Sequence, residues 1–165
     1  YMDWLMNKSV EKMFSKFEDG FNLISKARGK TNSVKVMYEL FHYDEIDLLV
    51  SGEEITYWNS LKDNAEYIDG YKEDSQEVKW FWEIFDEMSE EEKHKFFRFS
   101  TGCDRAPVGG LNNFSLKIQK INDDTKLPVA HKCMNTFSLP TYKSKEIMKS
   151  KILLAIEYTE GFGLI

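Results

Sequence analysis

Apolar residues in the first stretch of the chain recur every three or four positions. Val10, Met13, Phe14, Phe17, Phe21 and Ile24 form one stripe with charges between them. That spacing predicts an amphipathic helix, with Ser9 placed as a cap. Lys26 to Ser33 is polar and reads as a loop. Val34 to Phe41 reads as a short helix. Asp44 is placed to cap another, with Ile46, Leu49 and Val50 facing inward and Gly52 ending it.

The pattern continues beyond Gly52-Glu53-Glu54, which reads as a hinge. Thr56 to Asp63 predicts a short helix carrying Trp58 and Leu61. Tyr67 to Tyr71 reads as a turn. Ser75 opens the clearest helix, with Val78, Phe81, Trp82, Phe85 and Met88 on one face. Ser89-Glu90-Glu91-Glu92 is a capping box, so a new helix starts there. It carries Phe96, Phe97 and Phe99 and stops at Gly102. The period then changes from helical to two. Phe114, Leu116 and Ile118 alternate with Ser115, Lys117 and Gln119, as in a half-buried strand. Asn122-Asp123-Asp124 is a turn, and Met134 to Leu139 predicts a second strand beside the first. Ser144 caps a last helix with Ile147, Met148, Lys151, Ile152, Ala155 and Ile156 in its repeat. Gly161 ends it and leaves a short tail. Helices first, then strands with a closing helix, predict an α+β fold rather than alternating βαβ units.

Composition narrows the possible functions. The chain has 165 residues, enough for one domain or two small ones, and an aromatic share of 15% that argues against disorder. Its net charge of −6 would on average be repelled by a phosphate backbone, so no nucleic-acid partner is expected. No apolar run is long enough to span a bilayer, so no membrane partner is expected either. Two cysteines make no disulfide framework; a reducing compartment, cytoplasmic or nuclear, is the economical expectation. A Cys103–Cys133 bridge is the minor alternative. The chain starts in apolar sequence, Tyr1-Met2-Asp3-Trp4-Leu5-Met6, and reads as a cut through a longer protein.

Cys133 carries the candidate chemistry. It lies in Leu127-Pro128-Val129-Ala130-His131-Lys132-Cys133-Met134-Asn135, followed by Leu139-Pro140-Thr141-Tyr142. The thiolate is the nucleophilic form, and a cation such as Lys132 or a protonated His131 favours it. His131 has two readings: it orients the site or helps deprotonate an incoming amine, or it makes a structural hydrogen bond holding the loop. Asn135 could donate to a developing oxyanion or close an Asx-type turn, and the turn is the favoured reading. Pro128 and Pro140 bracket the region and cannot donate ladder hydrogen bonds. His131 and Cys133 supply too few ligands for zinc, and no cofactor is expected. Trp80, Phe81 and Trp82 read as core with a partly exposed edge. His42 and His94 read as surface residues, and Arg105 with Asp104 reads as a turn-stabilising pair.

These residues resemble a known family. His131-Lys132-Cys133-Met134-Asn135 with Leu139-Pro140-Thr141-Tyr142 is similar to the catalytic loop of HECT-type ubiquitin ligases, usually His-Thr-Cys-Phe-Asn followed by Leu-Pro-x-Tyr. Trp80-Phe81-Trp82-Glu83 resembles the family's Trp-Phe-Trp helix. Phe99 to Pro107 resembles its Phe-x-Thr-Gly-x-x-Arg-x-Pro turn, and Gly161-Phe162-Gly163-Leu164 its ending. The resemblance implies that residues 1–51 are closing helices of the N-lobe, 52–54 the hinge, and 55–165 the complete C-lobe with its catalytic cysteine. It places the region that docks the ubiquitin-conjugating enzyme upstream of this chain. Lys132 and Met134 depart from the usual threonine and phenylalanine. Lys132 loses a hydroxyl and adds a charge, and Met134 keeps an apolar contact.

The resemblance implies transthiolation. Cys133 takes ubiquitin from a conjugating enzyme as a glycyl thioester, and a substrate lysine then attacks it. Ubiquitin, the conjugating enzyme and substrate proteins are the implied partners. His131, Asn135 and Phe162 are the implied supporting residues, Phe162 as a tail residue reaching the N-lobe. Arg105 has a second reading, lining the groove for the ubiquitin tail. The rival readings are a cysteine hydrolase acting on ubiquitin conjugates, and a non-catalytic ubiquitin-binding module.

Overall fold

The computed structural model describes residues 4, 8–26 and 40–158. It divides into two compact units, residues 1–51 and 52–165. The expected helix over Val34–Phe41 and the tail with Gly161 and Phe162 lie wholly or almost wholly outside the described residues.

The first unit holds helix α1 (Glu11–Lys26) and helix α2 (Tyr43–Ser51). The helical period predicted α1, but it opens at Glu11, beyond Ser9. In α2 the cap comes from Glu45, whose carboxylate accepts the His42 N–H at 2.7 Å. Asp44 instead lies within the first turn, where its charge suits the helix dipole. No residue of α2 is buried, and Leu49 and Val50 are exposed rather than facing inward. An apolar stripe is buried only where another element packs on it.

In the second unit, helix α3 (Asn59–Asp63) is followed by strand β1 (Glu66–Ile68), helix α4 (Gln76–Glu87) and helix α5 (Glu90–Thr101). After a short 3-10 turn (Gly110–Asn113) come strand β2 (Lys117–Ile121), strand β3 (Val129–His131), strand β4 (Thr136–Pro140) and helix α6 (Lys145–Glu157). The sheet order is β1-β2-β4-β3. β1 and β4 pair parallel to β2, while β3 pairs antiparallel to β4. The fold is α+β. Two strands were not foreseen: β1 stands where a turn was expected, and β3 where a loop was. Each is three residues long and is made by its pairing, not by local pattern.

Caps fix the helix boundaries. Ser89 and Glu92 form the full capping box at α5, and Gly102 closes it at φ 88°. Ser144 Oγ accepts the Ile147 N–H at the start of α6. Ser75 precedes α4, but its hydroxyl accepts from Lys72 N at 2.9 Å rather than from the helix.

Aromatic side chains fill the space between the helices and one face of the sheet. Phe81, Phe96 and Phe137 are fully buried, and the Phe96 and Phe137 rings meet edge to face at 5.0 Å. Such pairs add about 0.5–1.5 kcal/mol beyond the area they bury. Trp80 is half-buried at the rim, and Trp82 lies inside with its indole N–H donated to Tyr67 Oη at 3.0 Å. His94 is not a free surface residue. Its ring lies against Trp58 at 5.1 Å, and Nδ1 is 3.1 Å from the Asp104 carbonyl. No helix among the described residues is long and apolar enough to cross a membrane.

Candidate active site

Cys133 stands at the apex of a hairpin. β3 ends at His131, β4 begins at Thr136, and these two residues are direct cross-strand partners. Lys132–Met134 between them form a 3-10 turn, and Asn135 closes it with φ 50° and ψ 37°. Asparagine tolerates this left-handed region better than other residues with a side chain. The Asn135 N–H bonds Lys132 O at 3.3 Å, and the Lys117 N–H from β2 bonds Asn135 O at 2.8 Å. Thr136, itself buried, donates its hydroxyl to Met134 O at 3.1 Å. The turn is thus held from below by backbone bonds.

The side chains of the turn face out. Lys132, Cys133 and Met134 are all exposed, Met134 at 66%. The apolar contact expected of Met134 is therefore not made, because the three-residue turn projects beyond the core. Lys132 is met by Gly102, the left-handed cap of α5, where an added Cβ would come within 3.4 Å of Lys132 Cδ. α5 packs along both β3 and the turn. Helix α5 and strand β2 therefore support an exposed cysteine.

His131 is exposed at the end of β3. Strand register places it in a row with Thr136, Lys117 and Glu66 across one face of the sheet. Asn135 occupies the turn-closing position. Phe162 lies outside the described residues. The structure adds Thr136 and Lys117, which hold the turn, and Gly102, which meets Lys132. Nothing local in the sequence marks these contacts, since each depends on strand pairing or on the docking of α5.

Two pairings expected around this site take other forms. Asp104 pairs with Arg98 at 2.7 Å, not with Arg105. Arg105 Nε instead donates to Gly52 O at 3.0 Å. Glu53 and Ala106 exchange backbone bonds of 2.8 Å, and Glu53 Oε1 accepts the Gly109 N–H at 3.0 Å. The Arg-x-Pro segment thus holds the start of the second unit. Cys103 and Cys133 are both free and exposed, so the alternative of a bridge fails. Cys103 is kept in the cap of α5, with its N–H on Thr101 Oγ1 at 3.1 Å.

Cys133 is thus an exposed cysteine on a braced hairpin turn, and comparison with known proteins gives the family of the chain. The family model for the HECT-domain (ubiquitin-transferase) matches residues 1–165. The chain belongs to this family. It is 38% identical over 166 residues to mouse "Probable E3 ubiquitin-protein ligase HERC4", with 100% of this chain and 15% of the relative covered. Human "Probable E3 ubiquitin-protein ligase HECTD2" is 36% identical over 165 residues, covering 99% of this chain and 20% of the relative. "E3 ubiquitin-protein ligase pub1" of Schizosaccharomyces pombe is 33% identical over 167 residues, covering 97% and 21%. The chain therefore spans a small part of the length of each of these relatives.

Proposed function

We propose that this chain carries the thioester-forming step of a ubiquitin-protein ligase, with Cys133 as the acceptor. The supporting observation is the exposed Cys133 at the apex of the β3–β4 hairpin in a chain of the HECT family. The Cys133 thiolate attacks the carbonyl carbon of ubiquitin's C-terminal glycine. The new C–S bond forms as the bond to the conjugating enzyme's cysteine breaks, and that thiolate leaves. A lysine amine of a substrate protein then attacks the same carbon, and Cys133 is released. Splitting the transfer replaces one difficult step with two easier ones.

In this proposal Gly52–Glu54 is the hinge on which residues 55–165 move. His131 orients the acceptor site, Asn135 fixes the turn, and Phe162 acts from the tail. Ubiquitin, a conjugating enzyme and substrate proteins are the partners.

The test is incubation with ubiquitin-charged conjugating enzyme, followed by gels run with and without reductant. A reducible ubiquitin adduct, absent from Cys133→Ala, is the expected result. Free ubiquitin released with no adduct would favour the hydrolase. Ubiquitin binding that survives in Cys133→Ala, with no adduct in either protein, would favour the binding module.

A further inference from the structure

Lys132 and Cys133 are consecutive residues of one exposed 3-10 turn. Their Cα atoms are about 3.8 Å apart across a trans peptide, and a lysine side chain is long enough to bring Nζ to an acyl group on the neighbouring sulfur. Several other lysines of this unit are held by carboxylates. Lys145 bonds Glu83 and Glu87, Lys149 bonds Glu87, and Lys143 bonds Asp124 at 2.9 Å. Among the described residues, no carboxylate or hydrogen-bond acceptor holds Lys132. Gly102 meets only its methylene stem, at Cδ. Among the described residues, the turn therefore presents an amine with no counter-ion on the residue next to the cysteine.

We infer that Lys132 is a built-in acceptor: ubiquitin carried on Cys133 passes in cis to the Lys132 amine, and the modified turn is closed to further loading. This rests on the thioester reading of Cys133. In the step, neutral Lys132 Nζ attacks the thioester carbonyl carbon. The C–N bond forms, the C–S bond breaks, and Cys133 leaves as a thiolate that takes up the proton shed by nitrogen. No oxidant, metal or nucleotide is consumed. The product is an amide, more stable than the thioester, so the transfer does not reverse. Attack within one turn has the proximity advantage of an intramolecular reaction. It requires the uncharged amine, so it quickens as pH rises. Ubiquitin left on Lys132 would then stand over the sulfur, making the site self-limiting.

The experiment uses the 165-residue chain with ubiquitin activated as a small-molecule thiol thioester, so that no conjugating enzyme is needed. Adducts are followed on gels with and without reductant and mapped by mass spectrometry. A reducible adduct should appear first. It should convert to a reductant-resistant one carrying its remnant on Lys132, at a rate independent of chain concentration. Lys132→Arg keeps the cation but should lower the resistant adduct by at least about tenfold. The inference is overturned if the reducible adduct persists without conversion, or if the remnant falls on Lys117 or other lysines and not on Lys132. It is also overturned if Lys132 is labelled in a Cys133→Ala chain mixed with the Lys132→Arg chain, which would mean transfer between chains. Absence of any reducible adduct would instead remove the thioester reading itself.

Discussion

The helices of the first unit and those of the second carry the same kind of amphipathic pattern, but their stripes fare differently. In α1, Met13, Phe14 and Phe17 are 71%, 62% and 67% exposed. In α4 and α5, Phe81, Phe85, Phe96 and Phe97 are all buried at 2% or less. The difference lies in what faces them. The second unit supplies a sheet and a third long helix, so each ring meets others, as Phe96 meets Phe81, Phe85 and Phe137. A hydrophobic stripe specifies which side of a helix can be buried; the partner decides whether it is.

The largest effect is expected from truncating one ring in each unit. Phe96→Ala removes a fully buried ring from an aromatic cluster and should cost about 3–5 kcal/mol. Phe17→Ala removes an exposed ring and should stay within about 0.5 kcal/mol. Urea titration of both variants checks the pair, and equal losses would refute the contrast.

A smaller effect is expected at the start of the second unit. Gly52 has φ 78°, and a Cβ there would run into the Ala106 carbonyl oxygen. Gly52→Ala should therefore cost about 1–3 kcal/mol through backbone strain. A melting temperature equal to that of the parent would show that the Glu53–Ala106 bridge does not fix this backbone.

Smaller still is the cap of α5. Ser89→Ala loses the hydroxyl half of the capping box and should cost about 1 kcal/mol. Thermal unfolding followed by circular dichroism checks it.

Acid acts on the ion pairs that join α4 to α6. Lys149 and then Lys145 hold the Glu87 carboxyl down at about 2. A lowered acid pKa stabilises the fold above the unfolded value of about 4.3 and loses that contribution as pH falls toward 2. Glu87→Gln should flatten the stability profile in that window. At the alkaline end the sign reverses. Burial raises the Tyr71 and Tyr142 hydroxyls. Their contribution is complete below the unfolded value of about 10 and is lost as pH climbs beyond it. A stability profile taken across both ends checks the two windows.

Much of the fold was legible where its signals are local. The Ser89–Glu92 box, the Gly102 cap, the stripe of α4 and the alternation around Ile118 each lie within a few residues, and each appears in the structure. The short strands were not legible. Glu66–Ile68 is a strand because Lys117–Gln119 lies beside it, and Val129–His131 because β4 returns along it. Asp104 finds a non-adjacent partner for a related reason. Arg105 is adjacent in sequence, but the turn after α5 carries Asp104 back to Arg98.

The helical stripes, the caps, the α+β class, the motif around Cys133 and, through that motif, the family resemblance can all be read from the sequence. These depend on side-chain chemistry at fixed short spacings. That the Cys133 turn is a hairpin apex closed by His131 and Thr136, tied down by Lys117 and approached by Gly102, follows from tertiary packing. Those neighbours come from distant parts of the chain, and strand pairing and helix docking bring them together. The same distinction applies to Lys132. Its place next to Cys133 is written in the sequence, while its lack of a charge partner among the described residues depends on which carboxylates the fold brings near.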